Sequence, residues 1–358
     1  MPDIYAAAEV TIAASCAKST SEGFLKAKAP PDKLFRFSSN SYGDIFVLVQ
    51  DQAFAEIEPL DTRAWALQET VLSIGVLNFR KCSVRYECGT SVVDLDTIDP
   101  QNDHPIPPLR QLSLNLLGQA RQDFKNGETW LRLVEEYSRR RLTFLDDRLL
   151  AISGLADRFG RNLNSNYFAG LWELQLPNGL LWRCTVPQTR PTNERAPSWS
   201  WVSVDGPVSC DIGLDPEGKH SEMELHTVSI IPQRMDAKYG SVRSGGSICV
   251  SSLIKGVRVI GNGSHRCLVD TKTKVGLRAK LHFDTASDDH ALEDDMVYAL
   301  NYYKTESLLV REAARDLYAV GFLLVQVSGR NYRRVGLYDA GCSTDWFSNS
   351  SFETIYIV

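Results

Sequence analysis

From about Tyr167 to Val358 the apolar periodicity switches to two and the runs are broken by turn signals, so a region of more than half of the 358 residues is read as mainly β. Gly261-Asn262-Gly263 lies between apolar stretches at 257–260 and 267–269 and reads as a hairpin, with Gly329-Arg330-Asn331 as another turn. Stretches 275–283, 296–302, 318–327, 332–338 and 354–358 complete the pattern, and residues 206–358 are read as a β-sandwich or open barrel. Trp199 and Trp201 are placed on one face of a strand that ends at Asp205-Gly206-Pro207. No repeat of fixed period is present in the sequence, which argues against solenoids and propellers.

The first seventy residues follow another rule. A helix from Asp3, a strand over 10–14, a polar stretch, a strand over 45–49 and a helix over 61–73 alternate in the manner of an α/β unit. Both strands are expected in one small sheet beneath the 61–73 helix. That helix carries Ala64, Trp65, Leu67, Val71 and Leu72 on one arc, with Gln68 in the middle of it and Glu69 at its rim. Gln68 is expected to be buried and hydrogen-bonded beside a buried Trp65, because an unpaired buried amide costs about 1–3 kcal/mol. Short strands at 76–79 and 84–88 form a hairpin around 80–83, and the Pro- and Asp-rich stretch 94–108 is a loop and boundary. Thr129 and Thr143 are read as starts of two amphipathic helices packed antiparallel. The organisation is therefore α+β, with a partial α/β unit at 1–93, a helical layer at 109–166 and a mainly antiparallel β region at 167–358.

Composition narrows function mostly by exclusion. A net charge of −5 disfavours broad affinity for nucleic acid, and Arg139-Arg140-Arg141 reads as a solvated helix end. No apolar window is long enough for a membrane span and no secretory signal opens the chain, so a cytoplasmic protein with reduced cysteines is expected. The Asn262 and Asn349 sequons are then silent.

Motifs of known chemistry are scarce. Cys82 with Cys88, and His265 with Cys267, lack the paired spacings of a zinc site, and Asp94, Asp96 and Asp99 lack the glycine and terminal glutamate of a calcium loop. No metal or cofactor is expected. The glycine-rich 240–246 stretch precedes a strand and lacks a phosphate-loop ending, so it is read as a flexible connection. Trp199 and Trp201 suit either a planar ligand or a strand's core face, with core favoured. Asp147 and Arg148 suit either a ligand or a structural pair at a helix start, with the structural role favoured.

Arg63-Ala64-Trp65-Ala66-Leu67-Gln68-Glu69 resembles the Arg-Gly/Ala-Trp-x-x-Gln-Glu signature of the fungal heterokaryon incompatibility (HET) domain. Upstream, Ile4-Tyr5-Ala6-Ala7-Ala8 and the strand after it are similar to the helix and strand of that domain. Downstream, the stretch Asp147-Arg148-Leu149-Leu150-Ala151, then Ala169-Gly170-Leu171-Trp172, Leu180-Leu181-Trp182 and Ala196-Pro197-Ser198-Trp199-Ser200-Trp201 resemble segments that follow the domain, so ordered matches span roughly two hundred residues. The Tyr-x-Trp-Gly and Trp-x-Asp-x-x-Cys-Ile-x-Gln stretches with which the family's domain begins do not occur, and an N-terminally truncated domain with one exposed apolar edge or face is expected.

The resemblance implies a fold like that of Toll/interleukin-1 receptor (TIR) domains and a role in nonself recognition and programmed cell death, with other proteins as partners. It offers Arg63, Trp65, Gln68 and Glu69 as pocket residues. Because some TIR domains cleave NAD with a glutamate, NAD is the substrate the resemblance admits, with Glu69 the catalytic candidate and an incomplete site the expectation. The alternatives are a non-catalytic interaction module, a degenerate paralogue, or a TIR-like NAD-cleaving effector.

Overall fold

The computed structural model describes residues 2–25, 32–39, 43–50, 57–81, 83–89, 91–95, 127–161, 163–210, 221–261, 266–291, 296–306, 317–342 and 346–358. The turn 262–263, Cys82, His265, Asp96, Asp99 and most of the 94–108 loop lie outside them. The chain divides into two compact units, Met1–Gln122 with Arg140–Leu142, and Asp123–Arg139 with Thr143–Val358. The helical layer expected at 109–166 is thus not a unit of its own: both of its described helices cluster with the β region.

In the first unit, α1 is Pro2–Ala7, β1 Thr11–Ala13, β2 Asp32–Ser39, β3 Gly43–Gln50, α2 Ala64–Leu72, β4 Gly75–Phe79, β5 Val84–Cys88 and β6 Val92–Asp94. The expected strand at 45–49 exists within β3, but it pairs with β2 in a separate two-stranded sheet, with Phe37 opposite Ile45. The polar charge of 32–39 hides an alternating strand close in sequence to β3, and closing a short loop is entropically cheaper than recruiting β1. The place beside β1 belongs to β4, parallel to it, with Ile12 opposite Leu77. α2 is therefore a crossover between parallel strands, and β4, β5 and β6 continue as an antiparallel meander.

Register sorts the side chains of this four-stranded sheet onto two faces. Ile12, Leu77, Tyr86 and Val93 stand in one row, with Phe79 and Val84 in the next. The other face carries Thr11, Val76, Asn78, Glu87 and Val92, and α2 lies on that side, where the Thr11 and Ser73 hydroxyls are 2.7 Å apart. Asn78 and Glu87 are buried there and share a 3.2 Å hydrogen bond. The apolar face is partly open: Ile12 is 61 % exposed and Val93 40 % on the outer strands, while Leu77, Phe79, Val84 and Tyr86 between them are half-buried.

In the second unit, α3 (Glu128–Ser138) and α4 (Leu150–Gly160) are antiparallel: Trp130 meets Phe159 at 5.5 Å between ring centroids, and Tyr137 donates to the Arg148 carbonyl at 2.7 Å. Thr129 is not the cap; Gly127, at φ 69°, precedes the helix and Thr129 is buried inside its first turn. Two short pairs follow, β7 (Tyr167–Phe168) with β8 (Leu171–Trp172) and β9 (Arg183–Cys184) with β10 (Val208–Ser209).

The remaining strands are β11 (Glu224–Pro232), β12 (Val242–Ile260), β13 (Cys267–Asp270), β14 (Gly276–Arg278), β15 (Lys280–Phe283), β16 (Val297–Glu306), β17 (Leu317–Ser328), β18 (Asn331–Cys342) and β19 (Ser351–Ile357), in one nine-stranded sheet. All their pairings are antiparallel except β18 with β19. Because β19 bonds to both β12 and β18, the circuit β12, β16, β17, β18, β19 closes on itself, in keeping with the barrel alternative. A short helix, α5, spans Ala286–Ala291. The glycine-rich stretch is no loose connection; from Val242 onward it is the start of β12. Val257, Leu268, Val297, Leu323 and Val335 form a core with no exposure, closed by Trp346 and Phe347.

Candidate functional site

The signature helix begins later than expected. Pro59–Thr62 form a 3-10 turn, Arg63 is extended, and the Ala64 N–H donates to the Arg141 carbonyl at 2.9 Å. The 139–141 run is accordingly not a free helix end: Arg139 is exposed, but Arg140 is buried with Nη1 3.5 Å from the Arg63 carbonyl. The shorter helix places Ala64, Leu67, Gln68, Val71 and Leu72 on the buried arc and Trp65 at its margin, where it is 38 % exposed. Trp65 is thus not a core residue. Gln68 is 5 % exposed as expected, yet its Oε1 has no hydrogen-bond partner among the described residues.

Arg63 and Glu69 come together in a cleft of about 370 Å³. Its floor is the β1 segment Thr11, Ile12, Ala13 and Ala14. One wall is α2 with Arg63, Glu69 and Thr70; the other is the chain after β1, with Lys18, Ser19, Thr20, Glu22 and Phe24. The Leu60 N–H donates to the Ser15 carbonyl at 3.2 Å, which fixes the start of α2 against the carboxyl end of β1, the end of a parallel strand where ligands of open α/β sheets gather. Tyr5 of α1 reaches Glu69. Burial first, then the charge of Glu69 and their hydrogen bond, raise the Tyr5 hydroxyl above its ordinary value. Chemically the cleft offers one guanidinium, one ammonium, two carboxylates and several hydroxyls beside an apolar strand. Trp65 and Gln68 do not line it.

The other motif residues build a different object. Trp199 and Trp201 do not share a strand face; Pro197 to Ser203 turn tightly and Trp201 opens a 3-10 helix, with Ser200 capping Val202 N at 3.1 Å. The carbonyl of Gly170 accepts from both Trp130 Nε1 at 2.9 Å and Trp201 Nε1 at 3.0 Å, while Ser200 Oγ donates to the Ala169 carbonyl at 2.5 Å. Gly170 sits at φ 99°, and a Cβ there would meet the Trp201 indole at 2.5 Å, so the position admits only glycine. Trp182 Nε1 donates to the Trp199 carbonyl at 2.9 Å.

Arg148 is buried, donates to the carbonyls of Asp205 and Gly206 at 3.2 and 3.0 Å, and lies 5.3 Å from the Trp201 ring. Burial lowers its guanidinium to about 10. Asp147 is half-buried beside it. Arg334 of β18, which no motif announced, holds this cluster to the sheet: it donates to the Leu180 and Trp182 carbonyls at 2.5 Å each, stacks 3.7 Å from the Trp182 ring and pairs with Asp284 at 3.0 Å. A lone arginine in a strand gives no sequence signal of such a role.

Among the described residues no group of three or more His, Cys, Asp or Glu side chains could hold a metal, and no helix is long and apolar enough to cross a membrane. The chain matches no family model, no curated protein and no solved structure.

Proposed function

We propose that this chain is a HET-type protein of fungal nonself recognition, acting inside the cell on other proteins, in which the cleft between β1 and α2 is the recognition surface. The observation that carries the reading is the convergence of the downstream motifs. Segments 147–156, 169–172, 180–182 and 196–201, picked out separately along the sequence, meet through Arg148, Gly170, Trp182, Trp199 and Trp201 in one buried cluster. Segments that belong to one family pattern should pack on one another in this way. Expression of the full chain in a filamentous fungus, scored for growth arrest and loss of viability, tests it. Arrest that is relieved by Glu69→Gln or Arg63→Ala is expected; normal growth of every strain at matched protein levels would overturn it.

A second reading is catalytic. Glu69 lies in the cleft with a tyrosine hydroxyl on it, which suits a carboxylate held for work on a glycosidic bond. Only Glu69 and Glu22 supply carboxylates to that cleft, and a preorganised set of donors around a transition state is not evident among the described residues. Incubation with NAD and measurement of nicotinamide release is expected to give no turnover; release abolished by Glu69→Gln would favour catalysis over recognition.

A further inference from the structure

β1 is the outermost strand of its sheet among the described residues, so one row of its backbone groups has no neighbouring strand. Parallel strands are ordinarily interior, covered on both faces and flanked on both edges. Here the edge is part of the floor of a slot: Thr11, Ile12, Ala13 and Ala14 line the cleft in unbroken succession, with Val76 of β4 and Leu60 completing it, α2 on one side and residues 17–24 on the other. Phe24 packs edge-on to Phe79 at 5.0 Å, on the sheet's open face, so the two walls belong to opposite layers. A slot with a strand edge as its floor and a wall on each face has the shape of an extended chain.

The charges on the α2 wall set what kind of chain. Arg63 stands at the carboxyl end of β1, and Glu69, six residues on, is roughly 9 Å further along the helix. Alternate residues of an extended strand are roughly 7 Å apart. Side chains at i and i+2 of an added strand would therefore face Glu69 and Arg63, while i+1 falls on the other face beside the exposed Ile12.

We propose that the free edge of β1 accepts one extended peptide strand of a protein partner, carrying a basic and an acidic residue two apart with an apolar residue between them. Backbone hydrogen bonds supply affinity, and the two charges with the apolar neighbour supply selection. The inference rests on the reading of this cleft as the recognition surface.

A fluorescein-labelled peptide Ser-Val-Lys-Val-Glu-Val-Ser, titrated into the full chain by anisotropy, tests it, with amide exchange followed at Thr11, Ile12 and Ala13. Saturable binding is expected, with the added protection confined to those of the three amides whose N–H points away from β4. Replacing the central Val of the peptide by Pro should abolish it, Ile12→Lys should weaken it, and Glu69→Gln should weaken it by up to about fivefold. Ile12 and Glu69 lie outside the buried arc, so both variants retain the fold. No saturable binding at millimolar peptide, or binding without protection at 11–13, would overturn strand addition. So would protection of these amides that rises with protein concentration alone alongside a sedimenting dimer, since the occupant would then be a second copy. Peptide binding lost in a chain that still arrests growth removes this proposal only; peptide binding retained without any growth phenotype removes the functional reading only.

Discussion

The sheet of the first unit and the sheet of the second answer the same problem in opposite ways. In the second, β12, β16, β17 and β18 pack so that Val257, Val297, Leu323 and Val335 vanish from solvent; Tyr167 Oη and Trp199 Nε1 are buried there without a hydrogen-bond partner among the described residues, but other buried polar groups are paired. Lys255 is one: its ammonium meets Asp270 at 2.7 Å and the Trp346 carbonyl at 2.6 Å. In the first unit the covered face holds Val76 and Val92 together with Asn78 and Glu87, and Gln68 of α2 keeps an Oε1 without a partner among the described residues, while the other face holds Ile12 and Val93 exposed on its outer strands with Leu77 and Tyr86 half-buried between them. A sheet that leaves Ile12 and Val93 in solvent on its outer strands keeps apolar surface that its own core does not use. The second unit's sheet closes over its core, whereas the first unit's leaves apolar side chains in solvent.

The sharpest way to break this comparison is Arg334→Met. It leaves Asp284 buried without its cation and removes the clamp on the Leu180 and Trp182 carbonyls, so urea unfolding followed by tryptophan fluorescence should show a loss of about 3–5 kcal/mol. Six of the seven tryptophans lie in the second unit, so the signal reports that unit. Leu323→Ala should cost about 2–5 kcal/mol by the same measurement, through the cavity it opens.

Acid should act on the second unit through Asp270. Burial opposes its ionisation, but the Lys255 ammonium and the N–H groups of Lys272 and Thr273 outweigh that and hold its carboxyl well below the usual range. A depressed carboxyl contributes its stability above the unfolded value near 3.9 and loses it as pH falls further, so the urea midpoint should drop below about pH 4. In Asp270→Asn the acid-dependent part of that drop should shrink, and an unchanged profile would remove Asp270 as its source.

In the first unit the effects should be small and one should have the opposite sign. Gln68→Leu removes a buried oxygen without a partner and should stabilise, by about 1 kcal/mol in amide-exchange protection of α2; clear destabilisation would mean that its amide is held. Ile12→Lys, on the open face, should lie within about 0.5 kcal/mol of the parent by the same measure. A loss comparable to that of Leu323→Ala would show the face to be a covered core after all.

Local signals were legible where neighbours in sequence are also neighbours in space. The 76–79 and 84–88 hairpin, the strands around Gly329-Arg330-Asn331 and the antiparallel helix pair follow from turn residues and periodicity alone. The Trp199 and Trp201 spacing misled because two residues apart suits a strand face and a tight turn equally, and only the Gly170 carbonyl that accepts from Trp201 Nε1 and the Val202 N–H that donates to Ser200 Oγ decide between them. Of the four pocket residues offered by the signature helix, Arg63 and Glu69 reach the cleft. Trp65 and Gln68 do not: Gln68 lies within the buried arc of α2 and Trp65 at its exposed margin.

The sequence by itself determined the α+β division, the identity of most strands and the amphipathic faces, since these depend on periods of two and 3.6 residues and on which residues can turn. The tertiary structure alone decided which strand lies beside β1, that Arg334 ties the tryptophan cluster to the sheet, and which face of the first sheet is left open. Those outcomes depend on competition between distant partners for the same hydrogen bonds and the same buried surface, and a local pattern carries no record of which partner wins.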